Sequence, residues 1–506
     1  MYKYTGGTRE TDVIESIRMS SEFDIKLYDD IDPENRPSLG EALIPIIGML
    51  TALGIGIGIY GLDPQFPLLW GIAFTGLFSY YRFDISWDEM YSGITHTLLM
   101  GIQVVFILFI VYALISTWIQ AGTIPTLMYY GLDLLHPIVF LPLTAIITAV
   151  ITFAIGSSWT AAGTLGVAFI GIGSGLGLPE PMTAGAILTG AYTGDKQSPL
   201  SDTTNLASAV TNTDLYDHIN AMRAGTFLAF FIGVILYAGL GIRASGAIPA
   251  DRIAEIQTAL TGSFTISPLA FLPLLVTFGL AIYGISAIPA LGAGVFAGAI
   301  TSAVLQGNSF TSVWTVAQSG TSPETGMELV NGLLSSGGMV GGAWAVTIAI
   351  AALSLGGLFE CTGIIAVLAH HLGQLSKSVG SLTGITVLSS VSMNVLAAEQ
   401  YISIVVPGVT LGSLYEEKGL KTENLSRAIE SSGTVTSALI PWNSGAVFMA
   451  GTLGVSTFQY APYYFLGFLS PLILILMGVT GWQITYTETE ADSQTPSNMA
   501  APADSD

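Results

Sequence analysis

Residues 194–205 read GDKQSPLSDTTN, and this polar stretch lies between two apolar segments, 182–192 and 206–210. Neither segment is long enough to cross a bilayer alone, which takes about 20 residues, whereas together they fit one crossing. Pro199 removes a backbone donor and Gly194 loosens the turn before it, so a continuous helix is not expected. The stretch therefore predicts a membrane helix that is broken at a site. The alternative is an extramembrane loop whose Asp, Ser and Thr side chains are solvated caps.

The rest of the chain supports a membrane setting. Only 10% of the 506 residues are charged, against about 25% in an ordinary globular protein, and long apolar runs recur from residue 41 to residue 482. The composition predicts an all-α polytopic membrane protein with about 11–13 membrane segments. We predict this domain order: 1–40, a polar N-terminal segment; 41–242, a first transmembrane repeat; 243–265, a hydrophilic connector; 266–482, a second transmembrane repeat; 483–506, an acidic disordered tail.

A second polar break gives the chain an internal repeat. Residues 433–445 read GTVTSALIPWNSG, in which Pro441 breaks the helix, and Asn205 and Asn443 are 238 positions apart. Corresponding interrupted segments in two halves are the best sequence pointer to the binding site of a secondary transporter. Unrelated breaks that happen to align are the alternative.

The charge balance excludes some functions. Lys and Arg total 14 and Asp and Glu total 35, a net charge of −21, so the chain lacks the basic face that nucleic-acid binding needs. Acid-rich, lysine-poor segments favour a halophile, in which salt screens self-repulsion; an ordinary disordered acidic tail is the alternative. The single Cys361 excludes an internal disulfide, and no nucleophile–base set or HExxH spacing indicates an enzyme.

Carboxylate, hydroxyl and amide oxygens in the two breaks are the ligands that a hard cation prefers. We expect Asp202 to be a buried carboxylate that holds either Na⁺ or H⁺, and alternating access would turn this competition into exchange. The Na⁺/H⁺ binding residues predicted with it are Ser198, Ser201, Thr203, Thr204, Asn205, Thr436, Asn443 and Ser444. No cofactor is expected, because Na⁺ and H⁺ are transported substrates; the other expected partner is the bilayer, and a homodimeric assembly is left open.

Other ionisable residues are assigned a proton or gating role, with structural alternatives. They are Asp195, Lys196, Glu399, Arg427 and Glu430. Lys196 could instead snorkel to the interface, Glu399 could bond structurally between helices, and Arg427 could pair with Glu430 three residues later. Further polar residues at helix interruptions are expected to support re-entrant segments: Ser157, Ser158, Thr160, Asn394 and Gln400.

Residues 194–207 resemble the signature of the NhaC sodium/proton antiporters of the ion transporter superfamily. Residues 156–160, 399–408, 425–430 and 440–443 are similar to further motifs of that family. Two departures are Ala438, where a proline is expected after the serine, and Glu399, where many relatives have Asp. The resemblance implies two inverted-topology repeats with re-entrant helices and Na⁺/H⁺ exchange in the cell membrane.

Two alternatives remain. Some relatives resemble exchangers that couple H⁺ and Na⁺ to malate and lactate, which would require a cation such as Arg427 for the substrate carboxylates. A non-transporting membrane sensor is disfavoured, because no soluble output domain is recognisable.

Overall fold

The computed structural model describes residues 26–134, 136–244 and 250–487, and these ranges are helical almost throughout. Within them, β pairing is limited to the isolated bridges Thr321–Ser336 and Leu420–Tyr486. Helices are expected from the apolar composition, because a backbone in lipid must satisfy its own polar groups. The predicted all-α fold class is confirmed.

The first half of the chain contains eleven helices in the described ranges. They are α1 Leu39–Leu53, α2 Gln65–Arg82, α3 Trp87–Met100, α4 Ile102–Gln120, α5 Thr123–Leu134, α6 Pro137–Ile155, α7 Ser158–Ala161, α8 Val167–Gly175, α9 Glu180–Gln197, α10 Asp202–Val210 and α11 Leu215–Ala244. A π-helical turn, Ala162–Gly166, joins α7 to α8, and another, Gly54–Ile59, extends α1.

The second half is connected through α12, which occupies much of the predicted connector. Its helices are α12 Ala250–Ser263, α13 Leu272–Ile282, α14 Ala287–Leu305, α15 Phe310–Ser319, α16 Glu328–Leu333, α17 Gly338–Gly341, α18 Ala343–Cys361, α19 Ile364–Gly373, α20 Val379–Leu396, α21 Gln400–Glu417, α22 Thr422–Ser437, α23 Ser444–Leu453, α24 Thr457–Tyr460 and α25 Phe465–Thr480.

Seven helical segments of the described ranges are long and apolar enough to cross a membrane, or up to nine if two bent pairs each make one span. The bends are 85° between Arg252–Ser263 and Pro268–Ile282, and 55° between Thr457–Tyr463 and Phe465–Thr480. The expected 11–13 segments also included short and broken helices such as α9, α22 and α23. Polar residues of the breaks lower the hydropathy of α9 and α22, whereas α23 is apolar but has only 10 residues.

The helix boundaries reveal the repeat in an exact register. Five helices of the first half begin 242 positions before five helices of the second. The paired starts are Pro137 with Val379, Ser158 with Gln400, Glu180 with Thr422, Asp202 with Ser444, and Leu215 with Thr457. In this register the counterpart of Asn443 is Ser201, not Asn205. The repeat is therefore a repeat of backbone architecture more than of residue identity.

The breaks share backbone detail as well. Gly156 (φ 76°) and Ala398 (φ 57°), which are 242 positions apart, both adopt left-handed conformations. Each precedes a helix N-cap, Ser157 for α7 and Glu399 for α21. A left-handed alanine is strained, and such strain persists only where the surrounding structure enforces it.

The ends of the chain differ partly from the predicted boundaries. Residues 483–487 attach to the turn between α21 and α22, since Lys421 N–H donates to Thr485 O at 3.1 Å and Thr487 N–H donates to Gly419 O at 2.9 Å. The predicted tail therefore cannot begin at residue 483. Residues 1–25 and 488–506 lie outside the described residues, and with them most of the polar N-terminal segment and the acidic tail.

Candidate functional site

Asp195 lies at the start of the first break. It belongs to the last turn of α9 and is buried. Its Oδ2 accepts a hydrogen bond at 3.1 Å from the N–H of Ser158, the first residue of α7. A helix N-terminus favours an anion. Across the described residues, Oδ1 of Asp195 has no hydrogen-bond partner, so this carboxylate keeps an acceptor for a ligand.

The prediction that Asp202 is the buried carboxylate is wrong. Asp202 is exposed and accepts a hydrogen bond from the hydroxyl of Tyr401. The physical reason is its position: Ser201 is the N-cap of α10, so Asp202 begins the helix and its side chain points away from the packed face. Asp195 takes the buried position instead, with Asp202 within electrostatic range of it.

A second carboxylate, Glu430 on α22, faces the same break. Glu430 is buried and its Oε1 accepts from the Thr203 hydroxyl at 3.1 Å, while Oε2 is unpartnered among the described residues. Lys196 is also buried, and its ammonium donates to Ser431 Oγ at 3.1 Å and Ser470 Oγ at 3.0 Å. Lys196 therefore lies inside the protein, and the alternative that it snorkels to the interface is wrong.

Glu399 is the third buried carboxylate. It is the N-cap of α21, where Oε1 accepts weakly from the Tyr401 N–H at 3.5 Å, and its Oε2 has no partner in the described ranges. The second break adjoins it, because Ser444 N–H donates to Ala398 O at 2.9 Å. The Ser444 hydroxyl is likewise buried without a partner in the described part of the chain.

Several predicted ligands brace the backbone of the first break. The Asn205 amide donates to Pro199 O at 3.0 Å and Ser201 O at 2.6 Å, and the Thr204 hydroxyl donates to Asp195 O at 3.5 Å. Ser198 Oγ accepts from Leu200 N–H at 3.2 Å. These contacts satisfy backbone groups that the interrupted helix leaves free.

A second bracing set holds the other break. Asn394 Nδ2 donates to Gly433 O at 2.7 Å and Thr436 Oγ1 at 2.9 Å, and its Oδ1 accepts from Asn443 at 3.0 Å. Gln400 accepts from the Ser437 hydroxyl at 3.3 Å. Ser157, one of the residues predicted to support re-entrant segments, caps α7: its hydroxyl oxygen accepts a hydrogen bond from the Thr160 N–H at 3.2 Å.

The two terminal nitrogens of Arg427 are engaged within the protein, whereas its Nε has no partner among the described residues. Its guanidinium donates to Gln483 O at 2.7 Å and to Asn424 Oδ1 at 3.1 Å, so it anchors the segment after α25. The alternative that Arg427 pairs with Glu430 is not supported, because the ion pairs within 4 Å in the described ranges are Arg82–Glu41 and His96–Glu360.

We call Asp195, Glu399 and Glu430 the buried acid region. In the described part of the chain, no group of three or more His, Cys, Asp or Glu side chains could hold a metal ion, so the three carboxylates do not form one joint metal site. Lys196 is the ammonium within electrostatic range of Glu430. The region thus contains more acids than bases, and it can be neutralised by bound cations or protons.

Sequence reasoning missed three aromatic residues of the site. Tyr401 contacts Asp202, while Trp159 and Tyr192 face each other without completing a hydrogen bond of normal geometry. Trp159 and Tyr401 lie in quoted motifs but were not assigned roles, because an aromatic residue in an apolar chain is more often packing than ligand. The 242-position register, in which these two correspond, would have flagged them.

The fold and the site define a class. Buried carboxylates with free acceptors, two broken helices and a two-fold repeat of the backbone are the features of a secondary active transporter rather than an enzyme. Residues 190–482 match the model of the Na⁺/H⁺ antiporter family. The chain belongs to this family and is a multi-pass protein of the cell membrane, as the sequence predicts.

Three relatives cover nearly the whole chain. The arginine/ornithine antiporter ArcD of Halobacterium salinarum is 51% identical over 95% of this chain and 100% of its own. The Na⁺/H⁺ antiporter NhaC of Alkalihalophilus pseudofirmus is 37% identical, covering 88% of this chain and 97% of its own. The malate-2H⁺/Na⁺-lactate antiporter of Bacillus subtilis is 36% identical, covering 89% of this chain and 97% of its own. The NhaC prediction is confirmed at the level of the family.

Proposed function

We propose that this antiporter exchanges monovalent cations at the buried acid region, with Na⁺ and H⁺ as the leading pair. The observation that carries the proposal is that Asp195, Glu399 and Glu430 are all buried and each has an oxygen with no partner among the described residues. An ionised carboxylate in this setting loses its hydration, so it gains by taking up a proton or a cation. One carboxylate cannot accommodate both ligands at once.

Asp195 is the leading carboxylate for this exchange. The Ser158 N–H already stabilises one of its oxygens, which leaves the other for Na⁺ or H⁺. Na⁺ would complete its shell with hydroxyl and carbonyl oxygens of the two breaks, which are ligands that a hard cation prefers. Asp202, at the exposed rim, is assigned to attract and pass the cation instead of holding it.

The test uses everted vesicles with a fluorescent pH dye. Asp195→Asn keeps the shape of the side chain and the Ser158 contact but removes the charge, so Na⁺-dependent dequenching should be lost. Asp202→Asn should retain measurable exchange with a higher half-saturating Na⁺ concentration. Full exchange by Asp195→Asn at matched protein level would overturn the assignment, and loss in Asp202→Asn alone would return the role to Asp202.

A second candidate is exchange of a cationic amino acid, as named for the 51% identical relative. Trp159 supports it: its indole N–H is buried without a partner in the described ranges, and it can only donate. Na⁺ cannot satisfy a donor, whereas an amino acid brings a carboxylate acceptor together with a cation for the acid region. An organic dianion fits less well, because Arg427 is engaged and the region is already rich in acids.

Transport assays in proteoliposomes distinguish the two candidate functions. Uptake of labelled arginine against internal ornithine, without any Na⁺ gradient, would establish amino acid exchange. In that case Trp159→Phe should weaken arginine binding by about 1.5–3 kcal/mol, the value of a hydrogen bond to a charged group. Robust Na⁺/H⁺ exchange without arginine uptake would exclude the second candidate.

A further inference from the structure

One histidine is buried outside the buried acid region. His218 is the fourth residue of α11 and is 0% exposed. Neither of its ring nitrogens has a hydrogen-bond partner among the described residues. In either tautomer a neutral imidazole has one donor and one acceptor, and each costs free energy when it is buried unpaired. Such a ring indicates a water molecule or another ligand beside it.

The repeat places this ring against the end of α9. The 242-position register pairs His218 with Tyr460, the fourth residue of α24, and Lys196 with Ala438. In the second half these counterparts touch, because the Tyr460 hydroxyl donates to Ala438 O at 2.7 Å. In the first half Lys196 lies within electrostatic range of His218. An imidazole is shorter than a phenol, however, and the ring makes no hydrogen bond to α9.

The space between the ring and α9 suits water. Two polar groups too far apart for a direct hydrogen bond can be bridged by a water molecule. A water there would satisfy one nitrogen of His218, which is costly to leave unpaired. A cation such as Na⁺ is disfavoured, because the ammonium of Lys196 repels a second positive charge. This position therefore differs from the buried acid region, which attracts cations.

Lys196 connects the ring to the buried acid region. It lies within electrostatic range of both His218 and Glu430. Helix α22, which carries Glu430, also packs against α11, since the Arg427 guanidinium donates to Ala221 O at 3.5 Å. The inner side of His218 thus faces a carboxylate to which we assign proton or cation uptake.

The start of α11 connects the ring to the membrane surface. The backbone N–H of His218 donates at 2.9 Å to the carbonyl of Asp214, the residue before α11, so one helical turn separates the ring from that end. Asp214 and Asp217 are both exposed. Exposed carboxylates raise the local concentration of cations, protons included. Only one turn therefore lies between His218 and a surface that collects protons.

We propose that His218 transfers protons between the buried acid region and the membrane surface at the start of α11. The inference rests on the proposed exchange of a cation for protons. When a cation displaces a proton from the acid region, water delivers that proton to one ring nitrogen, and the other nitrogen releases its own proton to water beside Asp214. Rotation of the ring restores the first tautomer, so His218 is unchanged after each transfer. Asp202 is left to the cation.

The test compares two transport modes of the purified protein in proteoliposomes. Na⁺/H⁺ exchange, followed with an internal pH dye, requires net proton transfer, whereas exchange of labelled Na⁺ for internal Na⁺ at equal pH requires none. Glutamine donates and accepts hydrogen bonds as the ring does but does not take up a proton at neutral pH. His218→Gln should therefore slow Na⁺/H⁺ exchange by about tenfold and leave Na⁺/Na⁺ exchange within about twofold of the wild type. The slowed mode should also show a larger solvent isotope effect in D₂O.

The matched control is His96→Gln. His96 lies 3.7 Å from Glu360, away from α9 and α11, so both modes should keep the wild-type rate. If His218→Gln does not fold, His218→Tyr takes its place. It installs the residue of the second half, whose hydroxyl can bond to the end of α9 as Tyr460 bonds to Ala438, and the same difference between the two modes is expected.

The outcomes distinguish this inference from the proposed function. Wild-type Na⁺/H⁺ exchange in His218→Gln at matched protein level would overturn the role of His218 alone, and so would equal loss of both modes in the His218 variants. A wild-type protein that performs neither mode would refute the proposed Na⁺/H⁺ exchange, and the proton path with it.

Discussion

The α9–α10 break and the α22–α23 break have the same backbone and different chemistry. Each has a proline at equivalent positions, Pro199 and Pro441, and a capping side chain before the second helix. At the end of the first helix, however, the first break has Asp195 and Lys196 where the second has Ser437 and Ala438. The two breaks thus share a backbone conformation, and the residues at a few positions decide which break carries charge.

At a second pair of equivalent positions, the N-caps of α7 and α21, the acidic residue lies in the second half instead. The N-cap of α7 is Ser157, whereas the N-cap of α21 is Glu399. Each half therefore contributes at least one buried carboxylate from a different element. If charge, and not backbone shape, makes the site, changes at the acids should stop transport, while changes at their uncharged counterparts should not.

Among the variants that compare equivalent positions of the repeat, the largest expected effect is at Glu399. Glu399→Gln keeps a side chain that can accept from the Tyr401 N–H but removes the charge that neutralises a cation. We expect loss of about 3 kcal/mol of cation binding, or about a hundredfold in affinity, measured as half-saturation of dye dequenching in everted vesicles. The matched control is Ser157→Ala at the equivalent cap, which should reduce stability by about 1 kcal/mol with near-normal affinity. Equal loss of affinity in both variants would contradict the comparison.

The next effect concerns the left-handed residues at the hairpins. At Gly156 an added Cβ would lie 2.6 Å from the Leu200 Cβ and 2.7 Å from its carbonyl carbon. Gly156→Ala should therefore destabilise by about 3 kcal/mol, from strain and overpacking together. A melting temperature in detergent within about 2 °C of the wild type would show that the turn between α6 and α7 is not packed against Leu200 of the first break as described.

Lys196 and Glu430 have no charged counterparts in the repeat, since Ala438 and Leu188 stand there. Lys196→Ala and Glu430→Leu install those counterparts. Each single change leaves a buried charge less compensated and should cost about 3 kcal/mol, whereas the double variant should recover about 1–2 kcal/mol relative to the sum. The readout is the shift in melting temperature of the three variants. Strict additivity would show that the two charges do not act together.

The smallest effect is at Ala398, the strained counterpart of Gly156. Ala398→Gly relieves left-handed strain but adds chain entropy to the unfolded state, so a net gain of about 0.5 kcal/mol is expected. The same melting assay should show a rise where Gly156→Ala shows a fall. Destabilisation by Ala398→Gly would mean that packing of the Ala398 methyl group contributes more free energy than the left-handed backbone conformation costs.

The general architecture could be predicted from the sequence because low charge and broken apolar segments are strong signals. The breaks at residues 194–205 and 433–445 are where Pro199, Pro441 and the hydroxyl residues indicate them. The exact register could not be predicted, since the matched residues Asn205 and Asn443 are 238 positions apart and the helix starts repeat at 242.

The sequence alone could not decide whether Asp195 or Asp202 is the buried carboxylate. Both lie in one polar stretch, and only the position of the α10 N-cap at Ser201 decides which side chain faces inward. The same holds for Arg427, whose role depends on Gln483, a residue 56 positions away. Contacts between distant segments decide such questions, and a single sequence contains no direct record of them.

The central claim is that the buried acid region, not Asp202, binds the transported cation. The most direct measurement is proton release from purified protein in weakly buffered detergent solution on addition of Na⁺ or of arginine. The wild type and Asp202→Asn should release protons with at least one of these cations, and the triple variant Asp195→Asn, Glu399→Gln, Glu430→Gln should release none. Release by the triple variant equal to that of the wild type, with loss in Asp202→Asn, would contradict the account.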